Sequence, residues 1–116
     1  MLRERNYGVF ENKPLRIIKQ QRRRRKIPRY KFRPEGGESY DDVKKRLAPF
    51  LNKTIGEYKN KTIILVTHGD VIRLVSHLLI KKPMINLAKM RFRRASINIF
   101  EFKNGKFTFR RYTKHL

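Results

Sequence analysis

The chain has 116 residues, of which 31 are Lys or Arg and nine are Asp or Glu, giving a formal net charge of +22 with the histidines neutral. That length allows one domain spanning 1–116, burying roughly 65% of its unfolded surface. The charge favours polyanionic partners such as phosphorylated metabolites or nucleic acid. Cysteine is absent, which excludes disulfides and thiolate metal sites and fits a cytoplasmic setting. No apolar stretch approaches the ~20 residues of a membrane span, and Met1-Leu2-Arg3-Glu4-Arg5 lacks the apolar core of a signal peptide, so no membrane partner is expected.

In chain order, Pro14 suits a first helical position. Leu15, Ile17 and Ile18 open a helix that runs into the block Arg22 to Lys26, and Pro28 stops it. From Arg29 to Gly37 the pattern is irregular, so 20–37 reads as a basic insertion or lid loop. Ser39 is a candidate N-cap with Asp41 and Asp42 in the first turn, ahead of Val43, Leu47, Phe50, Leu51, Ile55 and Tyr58 at helical spacing. Pro49 within that run predicts a kink. Thr62 to Thr67 is continuously apolar, as expected of a parallel strand covered on both faces. A helix from Asp70 to Ile80 would bury Val71, Leu74, Val75 and Leu78. At the end, Ser96 to Phe102 and Lys106 to Tyr112 flank Asn104-Gly105, the signal of a two-residue hairpin. The expected class is α/β, a three-layer arrangement with a mostly parallel sheet and a terminal hairpin.

Thr67-His68-Gly69-Asp70 carries the chemistry. An imidazole and a glycine stand between the apolar run and an amphipathic helix, where free backbone N–H groups of the helix start favour an anion. Two further blocks precede it: Arg3-Glu4-Arg5-Asn6-Tyr7-Gly8 followed by Glu11-Asn12-Lys13-Pro14, and Pro34-Glu35-Gly36-Gly37-Glu38-Ser39. In this order and at these separations, and with Thr67 to Arg73, the blocks resemble the histidine phosphatase superfamily, in its phosphoglycerate mutase and fructose-bisphosphatase-type branch. The resemblance spans roughly Leu2 to Phe102. It implies phosphoryl transfer on phosphorylated small molecules through a phosphohistidine, without metal or cofactor. Glu4 corresponds to the general acid and His68 to the histidine that holds the transferring group. Arg3, Arg5, Tyr7, Glu38 and Gly69 fall at substrate or phosphate-binding positions. The short stretch between the two glutamate blocks is closer to the compact phosphatases than to the mutases. Asn12 and Arg94 depart from a common glycine and asparagine of the family.

The larger departure is the nucleophile. In the resembling family it is the histidine of an Arg-His-Gly motif, and none of His68, His77 and His115 has that context. His77 falls within a helix and reads as a packing residue, and His115 belongs to the tail. The chain alone is therefore expected to be nearly inactive, and a separate amino-terminal segment or a second copy is expected to cover its sheet. The competing reading is a polyanion-binding module: Arg22, Arg23, Arg24, Arg25 and Lys26 would contact a nucleic-acid backbone, with Tyr30 and Phe32 available for stacking.

Overall fold

A computed structural model describes residues 1–112; His115 lies outside them. Helix α1 covers Leu15–Arg24, after Pro14, and ends at Arg25, so the first half of the basic run is helical. Helix α2 covers Tyr40–Glu57 and continues through Pro49. Its start is fixed by a capping box: the Ser39 hydroxyl accepts from the Asp42 N–H, and the Asp42 carboxylate accepts from the Ser39 N–H. Helix α3 covers Gly69–Ile80 with His68 as its N-cap residue and Lys81 in the left-handed conformation at its end. Strands β1 (Ile97–Lys103) and β2 (Lys106–Tyr112) pair antiparallel with Ile97 opposite Tyr112. Asn104 and Gly105, both at positive φ, make the turn.

The core is helical. Val43, Leu47 and Leu51 of α2 meet Val71, Leu74 and Val75 of α3, with Tyr40 and Leu87 closing the cluster. Phe100 of β1 packs against it, and β2 lies along α3. Mixed helix and sheet is therefore the observed class. Among the described residues the sheet is the two-stranded hairpin, and Thr62 to Thr67 forms no ladder. A strand exists only by its neighbour's hydrogen bonds, and among the described residues no strand pairs with this run. Ile64 and Val66 are consequently 86% exposed. Ile55 and Tyr58, at the end of α2, are exposed too, although their spacing places them on its apolar side.

Two glycine blocks bring the amino-terminal segment to α2. Gly8 has φ +56°, and a Cβ there would stand 2.0 Å from the Glu35 carbonyl oxygen; one at Gly37 would stand 2.6 Å from that of Asn6. The close approach lets the Val9 N–H donate to the Glu35 carbonyl and the Glu38 N–H to that of Asn6. The glycines of both blocks thus serve backbone contact between them.

Candidate active site

The start of α3 is the centre of the site. His68 holds an extended backbone, φ −124° and ψ 167°, and its side chain does not cap the helix. The imidazole is left free and 56% exposed. The Ile72 N–H donates to the His68 carbonyl, so the N–H groups before it are the unsatisfied donors of a helix start, where partial positive charge gathers. Arg73 reaches back over the turn: a Cβ on Gly69 would meet its guanidinium nitrogen at 3.5 Å, an ordinary van der Waals contact.

Glu4 faces His68, with Oε2 3.9 Å from Nδ1, and its other oxygen accepts the Arg5 N–H. Burial raises the Glu4 pKa from its ordinary value; the Asp70 charge adds to this, while the Arg5 N–H, His68 and Arg73 oppose it. The net shift is upward, the direction that suits a proton donor. What holds Glu4 there is Arg46 of α2, which donates to the carbonyls of Met1, Arg3 and Glu4. The Thr67 hydroxyl donates to the Leu2 carbonyl at 2.6 Å and so ties residue 2 beside the turn.

The other residues expected at the site take varied positions. Arg5 turns inward: it is buried, donates to the carbonyls of Glu38 and Phe32, and stacks on the rings of Tyr7 and Tyr40. Glu38 is held by charge, accepting from Arg46, Arg3 and the Asn6 N–H. Burial pushes its pKa up, but these donors outweigh it and the net shift is downward. In this structure Glu38 is a latch between the amino-terminal segment and α2. Arg3, one of those donors, is itself largely exposed.

Asp70 is the hub that motif reading did not assign a role. Its side chain is 3% exposed and accepts from Tyr7 at 2.5 Å, from Tyr40 at 2.8 Å and from Arg73 at 2.9 Å. The Arg29 guanidinium lies 3.8 Å away. One carboxylate thus joins the amino-terminal block, the start of α2, α3 and the basic loop. Burial raises the Asp70 pKa, but the two phenol hydrogen bonds and the charges of Arg5 and Arg73 prevail and lower it. Tyr40 is pushed up to about 12 by burial and by that same carboxylate, with its hydrogen bond adding to the effect. Asp at the second position of α3 was a legible signal, since a carboxylate there complements the helix start. Arg46 carried no such signal: Glu38 lies before the first residue of α2, and the contact depends on how the chain turns into the helix.

The basic loop meets the site at a cavity of about 60 Å³ bounded by Arg5, Tyr7, Ile18, Lys19, Arg22 and Arg29. Among the described residues no cluster of His, Asp or Glu could hold a metal ion, and no helix is long and apolar enough to cross a membrane.

The chain is 32% identical over 69 residues to a Mycobacterium tuberculosis protein named "Bifunctional protein Rv2228c", and equally to an uncharacterized protein of Mycobacterium bovis. In each case the match covers 60% of this chain and 19% of the relative, so the chain spans only a minor part of their length. A family model for the histidine phosphatase superfamily (branch 1) matches residues 1–115. With Glu4 opposite His68 at a helix start, that match over nearly the whole chain establishes that it belongs to the histidine phosphatase superfamily.

Proposed function

We propose that this chain supplies the proton-donating and phosphate-holding side of a site that hydrolyses phosphomonoesters of small metabolites. The observation that carries the reading is the Glu4 carboxyl, its pKa raised by burial, 3.9 Å from the imidazole of His68 at the start of α3. His68, the free N–H groups of α3 and Arg73 would hold the oxygens of the transferring group, whose charge is spread in the transition state. An attacking imidazole forms the N–P bond as the ester P–O bond breaks, and Glu4 gives its proton to the leaving oxygen. Water then attacks the phosphohistidine, releasing phosphate, while the Glu4 carboxylate takes a proton from that water.

The attacking imidazole is proposed to come from an additional Arg-His-Gly-bearing segment, joined to this chain or separate. The unpaired run Thr62 to Thr67 is the edge such a segment would join; its exposed Ile64 and Val66 support this. The cavity beside Tyr7, rimmed by Lys19, Arg22 and Arg29, suits a substrate with a second anionic group.

The test supplies the segment, fused upstream or as a separate chain, and follows phosphate release together with acid-labile phosphohistidine. Both are expected to appear, and E4Q is expected to cut turnover by about 10²- to 10⁴-fold. A folded complex that neither turns over nor becomes phosphorylated would overturn the reading.

A further inference from the structure

Helix α1 contains no acidic residue. Ile18 is its one buried residue, while Leu15 at its start is 63% exposed, and it ends in a Schellman motif. The Ile27 N–H donates to the Arg22 carbonyl at 3.2 Å and the Lys26 N–H to the Arg23 carbonyl at 3.1 Å. The motif places Lys26 at φ 53°, in the left-handed region that favours glycine.

The tip it creates is uncompensated. Arg23, Arg24, Arg25 and Lys26 are all exposed, and among the described residues none is in an ion pair. The neighbouring cations are engaged elsewhere: Arg22 donates to the Ile27 carbonyl, Arg29 lies against Asp70, and Arg33 is clasped by Asp42 at 2.6 Å. Basic side chains complement the carboxyl end of a helix, but four in succession repel one another, and a bound polyanion relieves that repulsion.

We propose that the end of α1, Arg23 through Lys26, is a docking surface for the phosphodiester backbone of double-stranded nucleic acid. A membrane surface fits less well, because an interfacial helix needs an apolar face to insert and the tip has none. A single strand fits less well too, since base stacking requires free aromatic rings. Phe32 is 2% exposed and Tyr30 packs against the core with Lys31 over its ring, which corrects the expectation that these two would stack on bases. What remains is backbone contact, which reads charge density and is indifferent to sequence.

Neutralising four phosphates gives a slope of log affinity on log salt of about −3.6, or roughly a 150-fold loss between 50 and 200 mM salt. The test measures binding of the full chain to labelled 20-base-pair DNA and RNA duplexes across that range. The comparison is with a variant carrying R23Q, R24Q, R25Q and K26G, whose glycine suits the left-handed position. A charge-matched control carries K45A, K53A, K59A and K61A, all at exposed positions on or just after α2; both variants lower the net charge from +22 to +18. The tip variant is expected to lose about 100-fold at 50 mM salt and to flatten the slope by about 3.6. The control should stay within a few-fold of the parent and H68A should leave binding unchanged. Equal losses in tip variant and control, abolition by H68A, or tighter binding to phosphatidylserine vesicles than to either duplex would overturn the proposal.

Discussion

Replacing Asp70 with alanine removes a carboxylate that is 3% exposed and holds Tyr7, Tyr40 and Arg73. The Tyr40 hydroxyl, in a residue 1% exposed, loses its acceptor, and a buried unsatisfied hydroxyl costs about 1–3 kcal/mol. Arg73 loses its buried carboxylate, and breaking such a pair from one side brings the total to about 3–5 kcal/mol. That is a large share of the 5–15 kcal/mol typical of a domain, equivalent to a fall in melting temperature of about 12–20 °C. Asp70→Asn keeps the shape and one acceptor oxygen and should cost about half as much. Denaturant unfolding followed by circular dichroism measures both. The pH dependence adds a second check. Asp70 has its pKa lowered on folding, so its charge contributes stability that is fully present above the unfolded value of about 3.9 and is lost as pH falls through the folded value. The gap between wild type and D70A should therefore hold steady between about pH 5 and 7 and narrow below about pH 4. A D70A protein within 1 kcal/mol of wild type at about pH 7, or a gap indifferent to acid, would refute the reasoning.

Gly8→Ala, at φ +56° with the Glu35 carbonyl 2.0 Å from the added carbon, should lose at least about 2 kcal/mol and shift the NMR signals of both glycine blocks. Leu47→Ala, in the fully buried seam between α2 and α3, should cost about 3 kcal/mol in the same unfolding assay. Ile64→Lys and Val66→Lys should each change stability by less than about 0.5 kcal/mol, because both side chains are 86% exposed. The same substitutions should weaken capture of the nucleophile-bearing segment, as read by co-purification; a large stability loss in this chain alone would show that the run is already paired.

The helices were legible because their signals are local. Ser39 and Asp42 lie three residues apart and cap one another, Asn104-Gly105 fits a turn needing two positive φ values, and the periodicity of α2 and α3 marked Val43, Leu47, Leu51, Val71, Leu74 and Val75 as core. The run Thr62 to Thr67 has the composition of a buried strand, yet composition supplies no partner. Its outcome is decided by backbone groups from another segment, and a six-residue window holds no information about those.

The same division runs through the site. Position in a motif singles out His68 and Glu4, and the fold brings them to 3.9 Å. Arg5 and Glu38 look from sequence like residues aimed at an anionic ligand, yet Arg5 stacks between two tyrosines and Glu38 is clasped by Arg46. Charge type alone cannot separate the two uses, since a guanidinium binds a carbonyl in the interior as readily as a phosphate at the mouth. What separates them here is how few carboxylates there are. With nine acidic residues for 31 basic ones, Asp70, Glu38 and Asp42 each bind two or more donors that hold the chain together. Glu4 carries a lighter load, accepting from its neighbour's N–H, and burial drives its pKa up while that of the other three falls. In a chain so poor in acid, the carboxylate left lightly bonded beside a histidine is the one that the proposed proton transfer would use.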